Sequence, residues 1–144
     1  MNPSDTIQIA KDAFAKIHQQ YPNLSIKERS DDPVELSFTI PVQDGLRYEV
    51  WLCLQNNDEL HFSVSNFWCS WFSCSNPSVV EDYISVICGF LSGNNRILEH
   101  LQWGRCVKAE LQRPSGGAWE TRGSWRTWYF PLPWGWETRV LMNA

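Results

Sequence analysis

From Val34 to Val64 apolar and polar residues alternate through three successive runs. A period of two turns one face of an extended chain inward and leaves the other in contact with water. Val34, Leu36, Phe38, Ile40 and Val42 alternate with Glu35, Ser37, Thr39 and Pro41. Leu46, Tyr48, Val50, Leu52 and Leu54 alternate with Arg47, Glu49, Trp51, Cys53 and Gln55, and Leu60, Phe62 and Val64 with His61, Ser63 and Ser65. Gln43-Asp44-Gly45 and Asn56-Asn57-Asp58-Glu59 separate the runs with turn-forming residues. A short strand over Leu24–Arg29, closed by Ser30-Asp31-Asp32-Pro33, completes a four-stranded antiparallel meander.

An amphipathic helix stands on either side of this meander. Ile7, Ala10, Phe14, Ile17 and Tyr21 recur at intervals of three and four and share one helical face. Asp5 with Gln8 forms a capping box, with Ser4 as the alternative cap, and Pro22-Asn23 ends the helix. The second helix opens at Asn76-Pro77-Ser78 with a Ser78/Glu81 capping pair, and carries Val79, Val80, Tyr83, Ile84, Ile87, Phe90 and Leu91. Gly93 suits its left-handed cap. Between meander and helix, residues 66–76 are aromatic yet polar and lack a period. They read either as the fourth strand running into a buried corner or as a functional loop.

The last third returns to extended chain. Arg96–Trp103 and Arg105–Arg113 flank Gly104, Pro114-Ser115-Gly116-Gly117 turns, Ala118–Phe130 extends, and Trp134–Met142 closes. The tetrapeptide Trp-Glu-Thr-Arg occurs at 119–122 and again at 136–139. The fold class that follows is α+β: one curved antiparallel sheet of about seven strands with two helices packed on it, in the order α-ββββ-α-ββββ or α-ββββ-α-βββ. Residues 1–144 form a single domain. The element order loosely resembles secretion-chaperone folds, which also place helices against such sheets, although no motif accompanies the likeness.

The 144 residues suffice to bury a core without disulfide or metal staples. No apolar run reaches the roughly 20 residues of a membrane span. Met1–Ala10 lacks a basic region followed by an apolar stretch, so a cytoplasmic protein is expected. Cys53, Cys69, Cys74, Cys88 and Cys106 are odd in number and contain no Cys-x-x-Cys pair, which fits reduced thiols and neither a disulfide framework nor a zinc site. No cofactor motif is present. The net charge of −4 is divided unevenly: residues 1–95 carry −7 and residues 96–144 carry +3. The acidic balance argues against nucleic acid as a general partner.

Nine tryptophans are the chemically distinctive feature. Indole rings fill cores, stack on sugars or bases, or anchor protein interfaces. The partner- or ligand-binding candidates are Trp51, on the polar phase of its strand; Trp68 and Trp71, in the aperiodic segment; and Trp119, Arg122, Trp125, Arg126 and Trp128, in the aromatic, Arg-rich final third. Trp119, Thr121, Trp125, Thr127 and Tyr129 share a face if that strand is unbroken, while a slip at Gly123 exchanges faces for its second half. No catalytic residue is assigned. Cys53 and His61 fall on neighbouring strands, the minimum geometry for a thiol and its base, but a buried structural cysteine gives the same pattern.

These features favour a non-enzymatic binding protein that uses its aromatic, Arg-rich C-terminal surface on a macromolecular partner, as an adaptor, chaperone-like or immunity-like protein would. A small-molecule or carbohydrate-binding domain is the alternative, and a small enzyme with a cleft around His61 or His100 the second alternative. A homodimer is also open, since an exposed edge strand can pair with a second copy.

Overall fold

The computed structural model describes residues 2–143, so Met1 and Ala144 of the expected 1–144 unit lie outside the described residues. Helix α1 (Pro3–Gln20) leads into β1 (Lys27–Glu28), β2 (Leu36–Ile40), β3 (Val50–Gln55), β4 (Glu59–Val64) and β5 (Phe67–Trp71). Helix α2 (Pro77–Leu91) follows, then β6 (Arg96–Gln102), β7 (Arg105–Ser115), β8 (Ala118–Arg126) and β9 (Trp136–Leu141). The fold is α+β, and the helices stand where the periodicity puts them. The strands divide between two antiparallel sheets, in the orders β1-β2-β3-β4-β5 and β8-β7-β6-β9.

The division follows from the segment 66–76. Residues 67–71 of it form a separate strand rather than a continuation of β4, and residues 72–76 turn the chain into α2. Ser65, at positive φ, and Asn66 reverse the chain so that Val64 pairs with Phe67, and β5 returns along β4. The chain then leaves sheet one through α2 and starts a new sheet. β5 packs against β8 side to side instead of hydrogen bonding with it. Gly123 eases the close approach: a Cβ there would lie 3.3 Å from Cys69 Sγ, tight enough that the thiol would have to give by a few tenths of an ångström.

Both helices begin with the same device. Asn2-Pro3-Ser4 and Asn76-Pro77-Ser78 each place an Asn side chain as acceptor for the Ser backbone N–H, at 3.0 and 3.1 Å. Proline then occupies the first helical position, where its missing N–H costs nothing. Asn2 therefore displaces the expected Asp5 and Ser4 caps, and Asn76 displaces Ser78. Gly93 adopts the expected positive φ after α2.

The aliphatic phase of the meander is inward. Leu36, Ile40, Val50, Leu52, Leu54, Leu60, Phe62 and Val64 are buried under α1 and α2. Phe14 of α1 meets Phe38 edge-on at 5.0 Å, and Phe90 of α2 lies 6.0 Å from Phe62. Val42 departs from the pattern at 62% exposed, because the strand ends at Ile40 and Pro41 opens a turn closed by Gln43 and Leu46. The same buried cluster continues through Ile97, Ala109, Leu111 and Leu141 of sheet two.

Candidate binding surface

The eight sequence candidates are not brought together. Trp71 lies in the core at 8% exposed, where its Nε1–H donates to Asp82 at 2.8 Å, so it is not available to a partner. Trp51 and Trp68 occupy the outer face of sheet one, on either side of Ser63 across β3, β4 and β5. Trp51 Nε1–H donates to Ser37 Oγ at 2.7 Å, which uses its one polar atom internally. Trp68 stacks on His61 at 5.2 Å between centroids.

The alternation along β8 breaks as the glycine allows. Gln112 pairs with Thr121 and Leu111 with Gly123, so Arg122 bulges out of the ladder. Trp119 then shares a face with Arg96, whose guanidinium lies 4.1 Å from its ring centroid. Trp125 turns to the opposite side and packs against the core. The bulged Arg122 reaches Asp82 of α2 at 2.7 Å. Trp119, Trp125 and Trp128 therefore do not line one concave site.

Cys53 and His61 are direct cross-strand partners, as their positions in the sequence suggest. The thiol is fully buried, and burial, with Asp32 and Glu35 nearby, pushes it up to about 12. Burial also lowers the His61 imidazole below its ordinary value, against the pull of Glu59 at 3.0 Å. A neutral thiol sealed beneath the sheet surface is a poor nucleophile. His100 sits on the outer face of sheet two, bonded to Glu110 at 2.7 Å. Among the described residues, no group of three or more His, Cys, Asp or Glu side chains converges as a metal site would require. No helix among the described residues is long and apolar enough to cross a membrane.

A different set of residues forms the most distinctive surface. At one end of sheet two, the β6–β7 turn, the connection from β8 to β9 and the first residue of β9 display Trp103, Trp128, Tyr129, Phe130, Trp134 and Trp136, all exposed. Trp128 meets Phe130 at 4.6 Å, Trp103 meets Phe130 at 5.6 Å, and Tyr129 meets Trp136 at 5.3 Å. The connection is irregular chain, yet each of its backbone anchors is specified. Buried Gln102 accepts from the Phe130 N–H at 3.0 Å and donates to the Phe130 carbonyl at 2.8 Å, standing in for a strand neighbour. Arg105 donates to the Trp128 carbonyl, and Trp136 Nε1–H to the Leu132 carbonyl.

Of the predicted candidates only Trp128 belongs to this cluster, with Arg126 at its border. Composition signals the aromatic density of residues 128–136. Period-two parity cannot assign them, because residues 127–135 are not a strand.

Backbone geometry singles out one of these rings. Trp103 and Gly104 form the two-residue turn between β6 and β7 with φ of 51° and 79°. Gly116 and Gly117 make the equivalent turn between β7 and β8 without strain. A tryptophan in the left-handed region costs about 1–2 kcal/mol, which Asn or Gly would largely avoid. The ring is 53% exposed, so its own burial offsets that cost only in part.

The basic border is equally unfavourable for an isolated molecule. Lys108 and Arg126 are direct cross-strand neighbours of the same sign, a destabilising pairing. Lys108 reaches Glu110 at 3.6 Å, while Arg126 makes no ion pair among the described residues. Comparison with models of known protein families, with curated proteins and with solved structures returned no match.

Proposed function

We propose that this chain is a non-enzymatic binding protein whose cluster of Trp103, Trp128, Tyr129, Phe130, Trp134 and Trp136 anchors a protein partner. The carrying observation is that six large rings stand exposed on a clamped scaffold, one of them held at a backbone angle that its residue type disfavours. Exposed aromatic groups of this size mark interaction sites, and Trp, Tyr and Arg are the usual interface anchors. Arg105 and Arg126 border the rings, so the fitting partner has an apolar centre and an acidic rim. An adaptor, chaperone-like or immunity-like protein would bind in this way.

Trp128→Ala with Trp134→Ala tests the reading. Both rings are exposed, so the double variant keeps the wild-type circular dichroism and unfolding midpoint. Quantitative affinity capture with the two proteins side by side should return a stoichiometric protein from the wild type and lose it from the variant. Equal capture by both, or no stoichiometric partner for either at physiological concentration, would remove the proposal.

The outer face of sheet one supports a second reading, a small polar ligand or sugar. Arg47, Tyr48, Glu49, Trp51, Ser63 and Ser65 line an open cleft of about 450 Å³ there, a size that falls in the range of small-molecule sites. Trp51→Phe should abolish any saturable change in tryptophan fluorescence during sugar titration, and a titration without such a change counts against this site.

A further inference from the structure

Strand β9 is an open edge with a self-complementary sequence. It pairs with β6 on one side only, and each residue from Trp136 to Val140 is exposed. An edge strand offers a row of unpaired backbone N–H and C=O groups to another chain. Natural edges are commonly guarded by charged side chains, proline or a bulge; β9 has neither proline nor bulge, and its two charges, Glu137 and Arg139, are of opposite sign.

Register on the inner side sets which side chains share a face. Trp136, Thr138 and Val140 align with Gln102, His100 and Leu98, while Glu137 and Arg139 align with Leu101 and Glu99. Run antiparallel to itself about Thr138, this strand places Glu137 opposite Arg139 of the other copy, and Arg139 opposite the other Glu137. On the opposite face it places Trp136 beside Val140, twice. Both charge pairs are of opposite sign, and both apolar pairs join an aromatic to a β-branched residue, which are the favourable cross-strand combinations. Glu137 makes no ion pair among the described residues. Arg139 is bonded to Glu99 through Nε, and its side chain remains 56% exposed, so its terminal nitrogens are free to take a second carboxylate.

We propose that β9 pairs with β9 of a second copy about a two-fold axis at Thr138, which joins the two four-stranded sheets into one of eight strands. The matching Trp-Glu-Thr-Arg of β8 offers the same charges to β9, and pairing β8 with β9 of another molecule would be head-to-tail and would not close. That edge is withdrawn: Arg122 bulges out of the ladder and is held by Asp82, and Glu120 is held by Arg113. Two-fold pairing of β9 is therefore the closed solution. A contact of five residues a side belongs to the small, weak class of interfaces, so dimerisation is concentration-dependent. Among the clustered rings it uses Trp136, and the Trp128/Trp134 double variant leaves it intact.

Sedimentation of the whole chain from low to high micromolar concentration reads the dimer directly. The mass should rise from 16.8 kDa towards twice that value. Thr138→Lys opposes two positive charges on the axis and should hold the protein at monomer mass with unchanged circular dichroism. Thr138→Cys should form an intermolecular disulfide between its two copies on mild oxidation, because opposed antiparallel residues lie about 4.5–5.5 Å apart at Cα, within disulfide range. Thr121→Cys, in the matching tetrapeptide of β8, should not. A monomer mass throughout, with no cross-link in Thr138→Cys, would overturn the proposal. So would a dimer that survives Thr138→Lys, or a self-cross-link formed by Glu137→Cys in place of Thr138→Cys.

Discussion

The Asn66 side-chain amide donates to Glu99 Oε2 at 2.7 Å and so ties the β4–β5 turn of sheet one to the middle of sheet two. Glu99 is fully buried. Its oxygens also accept from the Asn66 backbone N–H and Ser65 Oγ, both at 3.3 Å, and from Arg139 Nε at 2.9 Å. A buried carboxylate is tolerable only when paired and hydrogen-bonded. Here those bonds also fix Ser65 in the positive-φ conformation that starts β5.

Glu99→Ala leaves those donors without their acceptor and should cost about 3 kcal/mol in urea denaturation, while Asn66→Ala costs about 1–2 kcal/mol. Burial raises the Glu99 carboxyl, but the hydrogen bonds from Asn66 and Arg139 and the Arg139 charge outweigh it, and the group ends below the usual glutamate range. A carboxyl lowered by folding adds stability that is complete above its unfolded value, and that stability is lost as pH falls through the folded one. Denaturation midpoints measured from pH 7 down to pH 3 should therefore fall less steeply in Glu99→Gln than in the wild type.

Trp103 and Gly135 form a coupled pair. The Trp103 N–H donates to the Gly135 carbonyl at 2.9 Å, and a Cβ at Gly135 would lie 2.6 Å from Trp103 Cδ1. Gly135 also has φ of 82°. Gly135→Ala should cost about 2–3 kcal/mol from conformation and collision together. Gly116→Ala, with open space around it, should cost about 1 kcal/mol. Trp103→Asn should leave the thermal midpoint unchanged or slightly raised while weakening partner capture. A large loss of stability in Trp103→Asn would show that the ring serves packing.

Thiol chemistry separates the five cysteines. Cys53, Cys74 and Cys88 are buried, and burial pushes Cys53 up to about 12 and Cys88 up to about 11. Cys69 and Cys106 are partly exposed, although burial raises both above the ordinary thiol value. At pH 8 a colorimetric disulfide reagent should label at most these two, slowly, in the native protein. The remaining three should react only at the rate of unfolding. Rapid native labelling of Cys53 would contradict its sealed position between Ser37 and His61.

Local rules reached as far as local causes did. The inward phase of Leu36 to Val64 and the stripe of α2 were legible because period and burial coincide. The split into two sheets was not, since it follows from the reversal at Ser65-Asn66 and brings Gly123 beside Cys69, a contact between residues more than fifty apart in sequence. The polar phase was only half legible. Ser37, Thr39, Cys53 and His61 read as wet and are buried, because Trp51 and Trp68 lie down over their own sheet. The aromatic cluster escaped residue-level assignment for a related reason. Its geometry rests on Gln102, Arg105 and Gly135, whose partners are backbone groups with no signature in composition.

The Arg122 bulge shows how such a long-range contact is secured. Asp82 accepts Trp71 Nε1–H on one carboxylate oxygen and Arg122 on the other, so one side chain of α2 holds the last residue of sheet one and the edge strand of sheet two. Two donors that share an acceptor should couple. Trp71→Phe removes the indole donor, and Arg122→Met keeps the stem while deleting the guanidinium. Each should cost about 1–2 kcal/mol, discounted on the Arg122 side because that pair is partly exposed. Together they should cost less than their sum by about 0.5–1 kcal/mol, since each donor helps to orient the carboxylate for the other and the second change removes a bond that the first has already weakened. Strict additivity in a double-mutant cycle would mean that Asp82 holds its two partners independently and that the junction is not a unit.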